Sequence, residues 1–255
     1  MLKSNKKLKH WFDFTVTLTE REIKSRYKHA AFGFLWMILN PLFQMLVIGF
    51  VFQFFIKFEI DNYFVFLFSG LLTWNFFSLS FSKAVPIFVN ERYLIKKAIF
   101  PRESLVISVI LSNLFHLLIG FALFSLLTLS FSLKIFWLIP GLFLLLFFTI
   151  GISLLFSSLN VKYRDINFIV QAMLSLWFYA TPIVYSLEMI PKFLRSIIYL
   201  NPLSLTVEVI RFSLSGYPIE DVSIKLVINL LISFVIFVLA LTVFRKESKN
   251  FDDWM

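Results

Sequence analysis

Two groups of side chains in this sequence could do chemistry. Between Asn90 and Glu103 (NERYLIKKAIFPRE), Glu91, Arg92, Lys96, Lys97, Arg102 and Glu103 offer charge-assisted hydrogen bonds, with Leu94 and Phe100 as apolar anchors among them. That mixture suits recognition of a protein surface better than bond-making. The second group is polar and aromatic and lies inside long apolar runs: Asn40, Gln44, Gln53, Asn75, Gln171, Ser175 and Thr181, with Trp74, Trp177, Tyr179 and Tyr185. Amide and hydroxyl groups beside ring faces suit a hydroxyl-rich ligand, because rings stack on sugars while their edges stay wet. The plainer reading is that Trp and Tyr gather at membrane interfaces regardless.

The sequence lacks the residue patterns of catalysis. There is no Gly-x-x-x-x-Gly-Lys-Ser/Thr loop for nucleotide phosphates, no Gly-x-Ser-x-Gly and no His-Glu-x-x-His. The histidines are scattered at His10, His29 and His116, and there is no Cys, which excludes disulfides and thiolate metal sites. Asn113 and His116, three residues apart in an apolar run, share a helical face. They read as helix–helix hydrogen bonding or as the lining of a path.

The elements that must carry these residues follow from composition. Of 255 residues, 59% are hydrophobic and only 15% charged, with 35 Phe against 7 Gly. A soluble domain is about 45–50% apolar and about 25% charged, so this chain has more apolar surface than a water-soluble core can hide. Six apolar runs, at about 34–56, 63–82, 105–131, 136–159, 167–185 and 223–244, approach the ~20 residues that cross a bilayer as a helix. Within lipid every backbone amide needs a partner, so an all-α membrane protein of six transmembrane helices is expected. No Asp, Glu, Lys or Arg lies at the centre of a run, which argues against ion-driven transport and against a narrow ion pore.

Positive charge falls on alternate loops. Most of the 24 Lys and Arg lie in the N-terminal segment, the 83–104 loop, Lys162-Arg164 and the tail at Arg245, Lys246 and Lys249. The positive-inside rule places that side, and both termini, in the cytoplasm. The net charge of +9 is therefore read as membrane charge bias and not as a nucleic-acid footprint. No short apolar core follows the basic start, so insertion is expected to begin with the first span.

Three segments are neither span nor simple loop. Residues 11–28 read as an amphipathic interface helix, with Phe12, Val16, Ile23 and Tyr27 on one stripe and Arg21, Lys24 and Lys28 on its neighbour. It is either an anchor on the membrane surface or a lever joined to the first span. The 83–104 loop, bracketed by Pro86 and Pro101, reads as a short docking helix for a soluble protein or as a charged turn dipping into the interface. Residues 186–222 hold two short apolar stretches, 189–200 and 202–216, split at Asn201-Pro202, in which Glu208 and Arg211 are spaced to pair. They read as a surface cap or as two short re-entrant or gate helices between spans five and six.

Taken together, three stretches resemble one family. They are TEREIKSRYKHAAFGFLWMILNPLFQMLVIGFVF ending at Phe52, the Asn90–Glu103 segment, and Tyr163-Arg164-Asp165 followed by WFYATPIVYSLEMIP and YLNPLSLTVEVIRFSLSG. This combination is similar to the membrane subunit of bacterial ATP-binding-cassette exporters of polysaccharide O-antigens and wall teichoic acids. The resemblance implies a permease in the bacterial cytoplasmic membrane that pairs with a second copy of itself. Two separate ATPase subunits would bind ATP and Mg, leaving no cofactor in this chain. It implies docking of the ATPase on Glu91, Arg92, Leu94, Lys96, Lys97, Phe100, Pro101, Arg102 and Glu103. The substrate would be a glycan or polyol-phosphate polymer on a polyprenyl diphosphate lipid. Arg21, Lys24, Arg26 and Lys28 would attract its diphosphate, and Asn40, Trp74, Asn75, Gln171, Trp177, Tyr179 and Tyr185 would line its path. A permease for drugs or small lipids shares this plan and is the alternative. A membrane-embedded enzyme would need a cluster of acid, base or metal-binding residues that the sequence lacks.

Overall fold

The computed structural model describes residues 2–28, 35–56, 60–97, 100–128, 133–219 and 222–254. Phe34 at the start of the first expected span, residues 129–131 at the end of the third, and Ala98-Ile99 in the expected docking segment lie outside the described residues, as does the Tyr27 side chain. Among the described residues every regular element is helical: α1 (Leu2–Tyr27), α2 (Trp36–Phe50), α3 (Tyr63–Ala84), α4 (Ile87–Asn90), α5 (Arg92–Lys97), α6 (Glu103–Thr128), α7 (Leu138–Lys162), α8 (Ile166–Ala180), α9 (Lys192–Ile198), α10 (Pro202–Ser215), α11 (Val222–Glu247) and α12 (Phe251–Trp254). Among the described residues five helical stretches are long and apolar enough to cross a membrane, and a sixth is obtained if α9 and α10, bent by 99° at their junction, count as one broken span. The chain is an all-α membrane protein.

Local sequence accounts for the irregular points. α2 carries Pro41 inside and ends in a π-helical turn, Val51–Phe55. The run expected as a span over 167–185 is helical only to Ala180. Thr181 is extended, as the residue before a proline prefers, and Pro182 supplies no amide to continue the ladder. The 15 residues of α8 cover only about 22 Å, less than the ~30 Å hydrocarbon core. α10 starts on an Asn201 cap whose side chain accepts from the Leu203 amide, with Pro202 in the first turn, and it stops at Gly216 with φ +71°.

The core is aromatic. Phe66, Phe77, Phe81, Phe88, Phe244 and Phe251 are fully buried. Phe77 stacks between Phe81 and Phe148, with Trp177 edge-on. α7 runs against α11, and the contact is close enough that a Cβ on Gly151 would lie 2.9 Å from the Phe237 Cα. By contrast α2 and α11 leave Phe43, Val47, Phe54, Ile224 and Leu231 exposed, as lipid-facing helices do.

Contacts sort the loops into two ends. At one end Arg21 pairs with Glu91, Lys83 with Glu22, Phe251 packs on Phe88, and Lys162 sits over the Trp254 ring. The segments rich in Lys and Arg therefore meet on one face. At the other, the Tyr63 hydroxyl donates to the Val184 carbonyl, Lys134 lies over Phe212, and the Asn229 amide donates to the Tyr199 carbonyl.

Candidate functional site

An open cleft of about 880 Å³ lies among α1, α2, α3, α6 and α8. Its polar lining comes from four helices: Asn40 and Gln44 of α2, Asn75 of α3, Asn113 and His116 of α6, and Gln171 of α8. Asn75 donates from Nδ2 to Gln44 Oε1 at 2.9 Å, a contact that joins α2 to α3. Trp36 and Trp74 add ring surface, and Leu72, Phe76 and Leu79 supply apolar wall. Two cations, Arg26 and Lys83, line the same cleft.

α1 reaches the cleft by running alongside α6. Thr15 donates to Ser104 Oγ at 3.0 Å, and eleven residues later Arg26 donates to Asn113 Oδ1 at 2.7 Å and meets His116 Nδ1 at 2.9 Å. The two helices thus run in the same direction over these turns. Thr15, Leu18, Glu22 and Arg26 form the inward stripe, while Phe12 and Val16 remain exposed. Asn113 in turn donates to Ser80 Oγ at 3.0 Å, tying α6 to α3.

Of the residues proposed for a substrate path, the structure gathers Asn40, Trp74, Asn75 and Gln171 in the cleft. Trp177 lies elsewhere, packed on Phe77 and Phe148 with its indole donating to Asn201 Oδ1 at 3.1 Å. Asn201 Nδ2 also donates to Thr181 Oγ1, so Trp177 and Asn201 pin the end of α8 to the start of α10. Tyr179 is exposed outside the cleft, and its carbonyl accepts from the Tyr185 hydroxyl at 2.9 Å. The sequence reading missed Trp36 and Lys83 as cleft residues, since only the meeting of α1, α2 and α3 places them there. The shared helical face of Asn113 and His116 was the legible signal for their role.

The basic residues of α1 diverge. Arg21 pairs with Glu91 at 2.5 Å, Lys24 with Glu20 at 3.2 Å, and Lys28 is exposed; of the four, Arg26 alone turns into the cleft. The segment expected to dock the ATPase divides similarly. Arg92, Lys96 and Lys97 are exposed on α5. Leu94 and Phe100 pack inward, Phe100 on Phe14 with ring centroids 5.0 Å apart. Arg102 donates to the Ser248 carbonyl and lies over the Phe251 ring, while half-buried Pro101 and Glu103 lead into the first turn of α6. Glu91 and Arg102 thus tie the segment to α1 and to the C-terminal end.

At the opposite end, Arg211 is fully buried. Its Nη1 donates to Glu208 Oε1 at 2.7 Å, Nη2 to the Pro182 and Ile183 carbonyls at 3.0 and 3.2 Å, and Nε to the Phe66 carbonyl at 3.3 Å. One guanidinium thus holds α10, the turn after α8 and the start of α3 together. The fork of Arg donors is what allows a single side chain to serve three backbone segments.

Residues 14–215 match the family model described as ABC-2 type transporter. The chain is 36% identical over 208 residues to an O-antigen export system permease protein RfbA of Klebsiella pneumoniae, covering 80% of each. It is 34% identical over 194 residues to the protein of the same name in Myxococcus xanthus, covering 74% of this chain and 75% of that one. It is 25% identical over 213 residues to the polysialic acid transport protein KpsM of Escherichia coli, covering 80% and 83%. With a family match over most of its length and helices built to cross lipid, this chain belongs to the ABC-2 type transporter family of multi-pass membrane proteins.

Proposed function

We propose that this chain is the membrane subunit of an ATP-driven polysaccharide exporter in the bacterial cytoplasmic membrane, with both termini in the cytoplasm. Two copies would face each other, and two ATPase subunits would bind beneath the basic end and carry the ATP and Mg. The cargo would be a glycan or polyol-phosphate polymer on a polyprenyl diphosphate lipid. The relatives favour O-antigen, since proteins named for its export are 34–36% identical and those named for polysialic acid 25%.

The observation that carries the reading is the cleft. Among the described residues its lining combines amides and indoles with apolar side chains and holds no carboxylate, which suits hydroxyl-rich sugar rings and gives a coupling ion no anionic ligand there. The chain shows no nucleotide loop, so the energy must enter through contacts that differ between ATPase states. Exposed Arg92, Lys96 and Lys97 on α5 supply a surface for those contacts.

Deleting the gene tests the reading. Lipid-linked glycan should accumulate inside the cell while surface glycan disappears, and the wild-type gene should restore export. A substitution that narrows the cleft, Asn75→Leu, should restore less. Unchanged surface glycan in the deletion strain would remove polymer export, and loss of drug resistance in its place would point to the small-molecule alternative.

A further inference from the structure

A second, smaller cavity of about 120 Å³ lies at the opposite end of the molecule, bordered by the turn at Leu187–Met189, by α9 and α10, and by the start of α11. Charges of both signs border it: Glu188 and Glu208 against Arg195 and Lys225. Glu208 is only 7% exposed, and its Oε1 accepts from Arg211. Its Oε2 has no hydrogen-bond partner among the described residues. Arg195 donates from Nε to the Ile190 carbonyl and from Nη2 to the Glu188 carbonyl. Its Nη1 has no partner among the described residues. The cavity therefore offers a buried carboxylate oxygen in need of a donor and a guanidinium nitrogen in need of an acceptor.

The surfaces on either side are apolar. α9 exposes Phe193 and Ile197, and α11 exposes Ile224 and Ile228, one position before Lys225 and three after it. A charged cavity between two lipid-facing helices suits a molecule with a polar head and apolar chains. The head must carry both signs, because a single charge would meet one pair of side chains and repel the other. A primary ammonium, with three N–H donors, can satisfy Glu208 Oε2 and Glu188 together, and a phosphate can accept from Arg195 Nη1 and Lys225. A quaternary ammonium has no N–H to donate and is held instead by ring faces, but the Tyr199 face is already covered by Lys225 Nζ at 4.2 Å.

We infer that this cavity binds the phosphoethanolamine head of an outer-leaflet phospholipid. The ammonium sits with Glu188 and Glu208, the phosphate with Arg195 and Lys225, and the chains lie along α9 and α11. The choice of leaflet rests on the orientation proposed above, whereas the headgroup site rests on the geometry alone. Asn229 of α11 already donates to the Tyr199 carbonyl at the end of α9. A bound lipid adds a second link between these helices and holds the 99° bend between α9 and α10 from its lipid side.

The test uses the full chain in nanodiscs of equal parts phosphatidylethanolamine, phosphatidylglycerol and phosphatidylcholine, with the lipids retained on release counted by native mass spectrometry. Phosphatidylethanolamine should be retained about tenfold over each of the others, as charge-assisted hydrogen bonds to its ammonium imply. Glu188→Gln keeps the backbone contacts of that residue, its amide to Ser186 Oγ and its carbonyl to Arg195, and should cut the preference to about threefold or less. Ser196→Phe places a ring at the cavity without removing a hydrogen bond, and should abolish the preference. Lys192→Gln, exposed on α9 outside the cavity, should leave it intact.

Equal retention of the three lipids, or full preference in both Glu188→Gln and Ser196→Phe, would overturn the site. Retention of phosphatidylglycerol or phosphatidylcholine in place of phosphatidylethanolamine would overturn the ammonium assignment. Glycerophosphoethanolamine has the same head without chains and should displace the lipid only weakly; displacement at equal concentration would make the ligand a soluble zwitterion and overturn the lipid. Displacement by a neutral oligosaccharide would make the cavity a sugar site instead. The chain has no Cys, so Ser196→Cys introduces a single thiol. A membrane-impermeant maleimide should label it in intact cells, and labelling only after lysis would overturn the orientation and the leaflet while the headgroup site stands.

Discussion

Replacing Arg211 by Met removes a side chain that joins α10 both to the turn after α8 and to the start of α3. The substitution keeps the apolar stem over Phe66, whose ring centroid lies 3.5 Å from the guanidinium carbon. It takes away every donor. Glu208 is then left buried without its partner, and the Pro182 and Ile183 carbonyls each lose a hydrogen bond. Breaking a buried ion pair from one side costs about 3–5 kcal/mol, because the remaining charge has no solvent to return to. We expect a loss of about 4 kcal/mol and a fall in unfolding temperature of about 10 °C, taking the scaling of a soluble chain of similar length. Thermal unfolding in detergent, followed by tryptophan fluorescence, measures it. Arg211→Met combined with Glu208→Leu removes the stranded carboxylate and should recover about half of the loss. If the single variant unfolds at the wild-type temperature, or the double variant is worse than the single, the pair is not the buried staple described above.

Other expectations follow from the same contacts. Gly151→Ala should destabilise the protein by about 1–3 kcal/mol, since its Cβ would meet the backbone of Phe237 at 2.9 and 3.0 Å. Gly120→Ala meets only the flexible tip of Leu72 and should be near neutral in the same assay. Phe251→Ala empties a ring packed on Phe88 and Phe244, so hydrogen exchange should speed up in α4 and α5 while α9 and α10 stay as they are. In the complex with the ATPase, Arg92→Glu and Glu103→Lys should each uncouple hydrolysis from export, and normal ATPase stimulation by both would place docking elsewhere.

Much of the fold was legible because lipid leaves few options. A run such as 63–82 has to be a helix, and its boundaries came within two residues of α3. Asn201-Pro202 announced the start of α10, since a capping amide and a first-turn proline act locally. The i, i+3 spacing of Glu208 and Arg211 foretold their pairing. α8 was overextended because its apolar run continues through Thr181-Pro182-Ile183, where hydropathy cannot register the missing amide. Trp177 was assigned to a path on residue type alone, yet its indole is used in the joint with Asn201.

The sequence alone determined that this chain lives in lipid as helices, which way its charge is biased, and that a helix breaks at Asn201-Pro202, because each of these depends on neighbours a few positions away. Tertiary structure decided which polar residues share a space. Asn40, Asn75, His116 and Gln171 lie on four helices, and Arg26 reaches them only because α1 packs along α6. The direction of a side chain around a helix that is apolar on every side has no signature in hydropathy. It is fixed by close packing, by Gly151 against Phe237 and Phe77 against Phe148, and by the few hydrogen bonds that buried polar atoms must find.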